Sequence, residues 1–590
     1  MSSALNLDEE LRSIVGVGNF QYKRAMAVTG PMPMAMFNNY VDIIDRSGVP
    51  QQLEEWAGLE RKRASGRKAL LTFRAVLVVE LISAVWSKGA QYTEFADTYA
   101  HRLTRAQFES LGIAWESVNE DRWLHRHWRA KKRLTKLVDP YHRTQKRRRL
   151  SLAEQVIADA ARDEQRSDRL RWMRQSLVDA SVALLPQRYR DRYTGDVAVD
   201  STEVPILGRV HSQATTFVRR GLPLDHPKVR EASKSLKRGG LLTNVDFSAG
   251  TYDRSHREDA MDEPPRAAYE MDIVTMMDTK GYDHHPAFAR IITGVGFHRP
   301  GNITDEPREA MHQHARNFEQ RGIAAADRAF NGLMSENFSQ ACRIDGWEFA
   351  YDYTKEQFGV QATVPGLPIV VVDGQLYVEY MPKELKYMTK WFRTKKKLNE
   401  VTGLPVTAAD VERAIEARKP YAMKRHGDIS NKAHNRGDQR FTYPDPKSYM
   451  AYDPATDKRI PVSKNNLRGS VTIHPHPEVV RHLQRHPWGS QEWKAVYGQR
   501  NQVESVNNSI KHTRFTDLES AAKRPGRGEA YHSIATALMA VAYNIRVLVR
   551  ALVEECTPAE KKRRKSRKKF TIDDLPNVRP ATVGALAPPA

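Results

Sequence analysis

The chain has 590 residues and a mass of 67.3 kDa, which is too long for one small module and suggests roughly three or four domains. It carries 93 Lys and Arg against 71 Asp and Glu, and the net charge of +22 indicates an anionic partner, nucleic acid first of all. With 40% hydrophobic residues and only two cysteines, Cys342 and Cys556, the sequence excludes a wholly disordered chain, a disulfide framework and a four-cysteine zinc site.

Residues 1–150 are predicted to form a helical, basic region that binds DNA. Apolar residues recur at helical spacing over 53–137. Residues 121–150 hold twelve Lys or Arg and two Asp, with Trp123 and Trp128 between them. Charge of one sign at this density favours contact with a phosphate backbone, and a solvated helix face is the alternative interpretation.

We expect neither a secretory signal nor contact with a membrane. The first ten residues, MSSALNLDEE, are polar and acidic, and the most apolar run, 70–87, contains Arg74 and Glu80. The sequence therefore predicts a cytoplasmic protein, associated with the nucleoid in a prokaryote.

Residues 151–195 are predicted to be a helical connector, after which the hydrophobic period changes to that of strands. The short β-branched run DVAVDSTEVPI would deliver Asp200 to the edge of a sheet. The polar, basic segment 208–266 is interpreted as a long excursion from that sheet. AAYEMDIVTMMD and FARIITGVGF then predict a hairpin joined by the turn KGYDHHP.

An alternation of strands and helices follows and predicts an α/β fold. PGNITDEP indicates a turn and a helix that begins at Thr304 or Asp305 and runs to about Gln320. GIAAAD predicts a short strand that closes on Asp327, and a helix over 333–344 leads to the strand WEFAYDY. Residues 196–355 are therefore expected to form the first part of a mixed α/β core.

The rest of the chain divides into four predicted parts. Residues 356–490 are expected to be an inserted β-rich domain, whose basic run includes Lys395, Lys396 and Lys397. These lysines suit a DNA backbone, and plain solubility is the alternative. Helical spacing returns in 491–525, which would complete the core, and in a C-terminal helical region, 526–560; residues 561–590 are a basic, flexible tail.

Four polar residues are candidates for a catalytic helix face: Tyr497, Arg500, Glu504 and Lys511. On a continuous helix their spacing puts all four within an arc of about 60°. The carboxylate can hold a metal ion while the guanidinium, ammonium and phenol groups steady phosphate oxygens. A salt-bridged surface helix is the alternative interpretation.

Two further acids, Asp200 and Asp327, follow predicted strands and have small residues beside them. Three carboxylates from two strands and one helix can converge at a sheet edge and bind two divalent cations about 3.5–4 Å apart. Hard oxygen ligands select Mg²⁺ or Mn²⁺ rather than zinc. Taken singly, each aspartate would be interpreted as a turn or cap residue.

These motifs resemble those of a known family. VAVDST around Asp200, GIAAADRAFNG around Asp327 and Y-x2-R-x3-E-x6-K from Tyr497 to Lys511 are similar to the signature of the DDE transposases of the IS4 type. The turn PGNITD also resembles the one after the third strand in that family. The resemblance spans about 195–550 and implies an RNase H-like mixed-sheet catalytic core, interrupted by the β-rich insertion.

The resemblance also implies roles for individual residues. Asp200, Asp327 and Glu504 would be the catalytic triad and would hold two Mg²⁺ or Mn²⁺ ions. The other residues of the motif would contact the DNA backbone near the scissile phosphate: Tyr497, Arg500 and Lys511. Arg328, beside Asp327, suits a phosphate contact or a salt bridge equally well.

The activity implied is that of a DNA transposase, an endonuclease and strand transferase of a mobile element. It would cut double-stranded DNA at terminal inverted repeats and join the freed 3′-OH ends to target DNA, and a homodimer would hold both ends in one synaptic complex. Two alternatives remain open: a metal-dependent RNase H-like nuclease without strand transfer, and a catalytically inactive DNA-binding protein derived from a transposase.

Histidine and tryptophan residues offer two further candidate roles. The chain has 20 histidines, among them His312 and His314, but no nearby cysteine pair and no HExxH motif, which argues against zinc. Trp488 and Trp493 precede the tyrosine of the motif, where an unpaired base could stack on an indole. Packing in the core is the favoured interpretation for both tryptophans.

Overall fold

The structure, a computed structural model, describes residues 6–27, 30–61, 69–116, 119–144, 149–234, 246–253, 264–277, 289–301, 304–461, 467–513 and 515–556. It shows a mixed α/β protein in which helical N-terminal and C-terminal parts surround a six-stranded mixed sheet. The turn KGYDHHP and the basic tail 561–590 lie outside the described residues.

Helices make up the N-terminal part, as the apolar spacing predicts. They are α1 (Leu7–Val15), α2 (Asn19–Ala27), α3 (Met34–Arg46), α4 (Val49–Leu59), α5 (Phe73–Val85), α6 (Tyr92–Asp97), α7 (Arg105–Ser110), α8 (Glu120–Val138), α9 (Leu152–Ala160), α10 (Glu164–Val182) and α11 (Gln187–Arg192). All residues of α5 except Arg74 are buried. A helix that is apolar on every face is stable only inside a core, so α5 is the centre of this part.

The central sheet consists of β1 (Val197–Pro205), β2 (Gly250–Tyr252), β3 (Arg266–Met276), β4 (Ile292–His298), β5 (Ile323–Ala326) and β6 (Glu348–Tyr351). Strand β3 is antiparallel to β1 on one side and to β2 and β4 on the other. Strands β5 and β6 continue the sheet parallel to β1. The predicted pairing of β3 with β4 is confirmed, whereas β2 lies inside the predicted excursion and was missed.

Short helices connect these strands: α12 (Gln213–Arg219), α13 (Pro227–Ser233), α14 (Glu306–Asn317), α15 (Arg328–Asn331) and α16 (Ser339–Ile344). Helix α14 lies directly against β4 because Gly294 has no side chain, and a Cβ there would be 2.0 Å from the carbonyl oxygen of Ala310. The helix predicted over 333–344 is instead a 3₁₀ turn, Ser335–Asn337, followed by α16.

The insertion is less purely β than predicted. Its strands are β7 (Val360–Thr363), β8 (Ile369–Val372), β9 (Gln375–Val378), β10 (Lys424–Arg425), β11 (Gln439–Thr442), β12 (Ala451–Tyr452), β13 (Arg459–Ile460) and β14 (Ser470–Ile473). It also contains α17 (Lys383–Arg393), α18 (Ala408–Arg418) and α19 (Pro477–Val480). A capping box between Thr407 and Asp410 begins α18, and this signal was present in the sequence.

Three helices follow the insertion: α20 (Gln491–Gly498), α21 (Asn501–Lys511) and α22 (Glu529–Glu555). Helix α22 is long and apolar enough to cross a membrane by length and composition, and 78% of its most apolar window is buried inside the protein. It contacts α1, α5, α10 and β4, so it is packed as the core helix of the fold.

One hydrophobic core joins the N-terminal helices to the sheet. The cluster runs from Leu11 in α1 through α5, β1 and β5 to Leu552 in α22. The insertion has its own clusters, one around β8 and β9 and one between α17 and α18. Segment 208–266 packs through Ala214, Val229 and Phe247 against Tyr141 and Leu152. The helical N-terminal part and the sheet therefore share a single interior.

The ion pairs of His312 make the stability of this fold depend on pH. Contacts with Asp345 and Glu309 raise the pKa of His312 to about 9, and its Nε2 lies 2.7 Å from Asp345 Oδ2. Because the pKa is raised on folding, the protonated ring stabilises the fold fully below about pH 6.5, and this contribution is lost as the pH rises through about 9.

We therefore expect His312→Gln to lower the Tm most near pH ~6 and hardly at all near pH ~10. Thermal melts of both proteins at the two pH values check this result. His474→Gln, at a side chain 77% exposed beside Asp438, is the control and should change little at either pH. An equal loss for His312→Gln at both pH values would show that the ion pairs do not stabilise the fold.

Candidate active site

The sheet places Asp200 and Asp327 side by side. Strands β1 and β5 are parallel, with Val199 opposite Ala326, so the next residues along each strand are the two aspartates. Adjacent strands lie about 4.8 Å apart. Asp200 is in the middle of β1 rather than at its predicted end, because β1 continues to Pro205 along its antiparallel partner β3.

The predicted single helix from Tyr497 to Lys511 is two helices. Helix α20 ends at Gly498, a poor helix former, and α21 begins at Asn501. The junction is closed by bonds of the i→i−3 type, from Arg500 N to Tyr497 O and from Val503 N to Arg500 O. The break leaves Arg500 at the N-terminus of the helix that carries Glu504.

Arg500 lies among the three acids. Its Nη2 is 2.5 Å from Glu504 Oε1, and its guanidinium carbon is 5.6 Å from the centre of the Tyr497 ring. Burial acts to lower the pKa of Arg500, but Tyr497 and the three carboxylates of Asp327, Glu504 and Asp200 raise it above its ordinary value. The guanidinium is therefore the counter-ion of the acidic cluster in this structure.

The environment of Asp200 shows that negative charge is concentrated here. Burial raises the pKa of Asp200 to about 6 and the charges of Asp327 and Glu504 also act to raise it, whereas Arg500 acts to lower it. Asn507 Nδ2 donates a hydrogen bond to Asp200 Oδ2 at 2.9 Å. Asn507 was missed in the sequence, although a residue three positions after Glu504 shares its helix face.

Asp327 has a structural contact as well. It is the N-cap of α15, and its Oδ1 accepts a hydrogen bond from the backbone N–H of Arg328 at 2.7 Å. The side chain of Arg328 is exposed at the first position of α15, where the sequence interpretation as a phosphate contact stays a prediction.

Lys511 lies farther along α21 than the other motif residues. Seven residues separate it from Glu504, about 10 Å of helix rise. Its Nζ is 3.5 Å from Glu203 Oε1 and 4.0 Å from Glu519 Oε2. The structure therefore places Lys511 beside acids outside the triad, and its contact with DNA stays a prediction.

A fourth acid, Asp352, continues the edge and was missed in the sequence. Ala326 of β5 is opposite Tyr351 of β6, which places Asp352 beside Asp327. Its Oδ1 accepts a hydrogen bond from Trp488 Nε1 at 3.0 Å. Its place beside Asp327 could not be seen in the sequence, because it depends on the register of β6 with β5.

The two tryptophans are packed, as favoured from the sequence. Trp493 is buried and stacks on Tyr497, with ring centres 4.5 Å apart and planes at 12°. Trp488 lies 5.4 Å from Trp493. This aromatic row fixes the orientation of Tyr497 beside Arg500.

The remaining predicted DNA contacts lie in the insertion. Lys395, Lys396 and Lys397 follow α17 and are all exposed. Lys397 has a positive φ of 47° and its Nζ lies 5.1 Å from the Phe392 ring centre. The structure keeps these three ammonium groups in solvent and does not bring them into the acidic cluster.

The residues present fit hard divalent cations better than zinc. Among the described residues, no group of three His, Cys, Asp or Glu side chains is already arranged to hold a metal ion. Magnesium, however, keeps several of its waters and needs only one or two protein carboxylates, which this edge supplies. His312 is engaged by acids, and burial lowers the pKa of His314 to about 3 between Tyr193 and Thr293.

Comparison with known proteins gives no relative from which the role of the site could be inferred. No family model matches the chain, and no curated protein or solved structure is significantly similar to it. The arrangement offers several carboxylate groups, one guanidinium and one phenol at the edge of a mixed sheet. Such a set can bind cations and stabilise negative charge on a phosphate group.

Proposed function

We propose that the protein is a DNA transposase of the DDE type, with Asp200, Asp327 and Glu504 as its catalytic triad. The observation that carries the proposal is geometric: Asp200 and Asp327 lie at adjacent positions of neighbouring strands, and the helix of Glu504 contacts Asp200 through Asn507. Arg500 pairs with Glu504 at the same place. The order of the sheet supports an RNase H-like core: β1, β3 and β4 are successively antiparallel, and β5 and β6 lie parallel on the other side of β1.

The three carboxylates would hold two Mg²⁺ or Mn²⁺ ions, which when bound supply Lewis-acid activation of the attacking oxygen and stabilise the leaving oxygen in an in-line displacement. Asn507 fixes one oxygen of Asp200 by its hydrogen bond. The backbone N–H of Arg328 fixes one oxygen of Asp327. Both acids are therefore held in place before substrate arrives, as catalysis by positioning requires.

Arg500 and Tyr497 would contact the DNA strand. A guanidinium can form two parallel hydrogen bonds to a phosphate, and cations that neutralise the triad would free Arg500 from Glu504 for this contact. Tyr497 is held by its stack on Trp493 with the phenol at the same edge. Lys511, Arg328 and the lysines of the insertion would contact DNA farther from the scissile phosphate.

The partners follow from the proposed reaction. Terminal inverted repeats and target DNA would be the substrates, a homodimer would hold the two ends, and the protein would act in the cytoplasm at the nucleoid. A metal-dependent nuclease is the second candidate, since hydrolysis of DNA needs the same triad without the joining step.

The test separates cutting from joining. The purified protein is incubated with Mg²⁺ or Mn²⁺, with a duplex that carries the inverted repeats flanking its gene and ends in a free 3′-OH, and with a supercoiled target plasmid. We expect a product in which donor and target strands are covalently joined. Cleavage without joined product would show a nuclease, and DNA binding without either reaction would show an inactive derivative; both results would overturn the proposal.

A further inference from the structure

Helix α8 presents two different faces. Its inner face is buried and carries Trp123, His127, Lys131 and Leu134. The charge of Lys131 is neutralised inside the protein, because its Nζ is 2.6 Å from the buried Glu80 carboxylate. His127 Nε2 is 3.1 Å from the same carboxylate, and burial lowers the pKa of this ring. The inner face therefore fixes α8 to α5 and makes no contact with solvent.

The outer face carries a row of basic side chains, which we call the α8 basic stripe. It consists of exposed side chains on successive turns of the helix: Arg122, His125, Arg129, Lys132 and Lys136. Their spacing places them within an arc of about 80° over about 21 Å of helix. The side chains of Arg129, Lys132 and Lys136 form no ion pair with any residue that the structure describes.

The groups beside the stripe are mixed, and the exposed Asp121 in the first turn of α8 offsets part of the charge at the N-terminal end of the stripe. Arg126 pairs with Glu116 at 2.6 Å, and Arg133 Nη2 donates to the carbonyl oxygen of Leu71 at 2.9 Å. Trp128 is 37% exposed, with Lys132 Nζ 5.4 Å from its ring centre. A small cavity of about 190 Å³ opens beside the stripe between Leu70 and Arg129. A partly exposed aromatic ring beside basic side chains offers a surface on which a base can stack.

We propose that the α8 basic stripe is a docking surface for the phosphate backbone of a DNA duplex. A duplex carries one phosphate charge per about 1.7 Å of its axis, so a row of about 21 Å faces several phosphates at once. The major groove, about 12 Å wide, admits a helix of this kind. The inference rests on the proposed function for the nature of the partner, DNA, but not on the catalytic role of the triad.

The experiment compares two triple variants with the same change in charge. The stripe variant is Arg129→Glu, Lys132→Glu and Lys136→Glu. The control is Lys234→Glu, Lys419→Glu and Arg550→Glu, three exposed residues in surface ion pairs in or directly after other helices. Binding of a fluorescent duplex of ~30 base pairs is measured by anisotropy without divalent cations, over a series of salt concentrations.

We expect the stripe variant to bind at least about tenfold more weakly at ~100 mM salt and to reduce the slope of log K against log [salt] by about 2 to 3. The control should retain affinity within about threefold. A third variant with Gln at the same three stripe positions should also lose slope, and its melting curve shows that the fold is intact.

Equal losses in the stripe variant and the control would overturn the inference, because total charge and not the stripe would then govern binding. Tighter binding of wild type to vesicles containing ~30% phosphatidylserine than to the duplex, abolished in the stripe variant, would also overturn it in favour of a lipid surface. A stripe-dependent slope in a protein that neither cuts nor joins DNA would refute the proposed transposase and leave the stripe inference standing.

Discussion

Glu504→Gln is expected to reduce Mg²⁺-dependent DNA cleavage by more than about 100-fold, since even substitutions behind the ligands of a bound metal cost about 10–100-fold. Glutamine keeps the shape of the side chain but removes the charge that a cation needs and that Arg500 now pairs with at 2.5 Å. The Glu504 side chain is 44% exposed, so the fold should lose little stability. DNA binding measured in the absence of divalent cations should stay close to wild type.

The matched control is Glu492→Gln, an exposed acid in the first turn of α20. It makes the same chemical change on the preceding helix, and the rate of cleavage should stay within about twofold of wild type. Single-turnover cleavage at saturating protein separates the chemical step from binding. Undiminished cleavage in Glu504→Gln would remove Glu504 from the triad, and equal losses in both variants would point to a general effect of charge.

Glu80→Ala is expected to destabilise the protein by about 3–5 kcal/mol, because it leaves a buried ammonium without its partner. The side chains of Glu80 and Lys131 are 2% and 3% exposed. Burial acts to raise the pKa of Glu80, yet Lys131 and His127 lower it below its ordinary value. The carboxylate is therefore charged inside the protein and holds α8 on α5.

Urea unfolding followed by circular dichroism measures this change. The double variant Glu80→Leu, Lys131→Met should recover most of the lost stability, since a buried ion pair replaced by apolar groups of similar volume is often neutral. Glu109→Ala, which breaks an exposed pair with Arg105 on α7, is the control and should cost less than about 1 kcal/mol. Failure of the double variant to recover would mean that Glu80 supports α8 through more than its charge.

The local elements of the candidate site could be predicted from the sequence. The strands before Asp200 and Asp327 are short runs of small or β-branched residues, and the helix with Glu504 has the apolar positions Val503, Val506 and Ile510 at helical spacing. These signals are local because each depends on a few consecutive side chains. The ends of the strands were less certain, since β1 continues only because β3 pairs with it.

Features that depend on contacts between distant segments could not be predicted. The hydrogen bond from Asn507 to Asp200 joins residues 307 positions apart, and the position of Asp352 depends on the register of β6 with β5. The shared interior of the N-terminal helices and the sheet has the same origin, because α22 returns from the end of the described chain to pack on α1 and α5. Composition alone suggested separate units there.

The shared interior has a geometric consequence for the proposed reaction with DNA. Helix α8 is fixed through Lys131 to Glu80 of α5, and α5 packs on α22, which in turn contacts β4 of the sheet. Packing thus holds the α8 basic stripe and the acidic edge at a fixed distance from each other. In the proposed reaction, a duplex bound to the α8 basic stripe would be cut at a constant number of base pairs from that stripe, whatever the sequence in between.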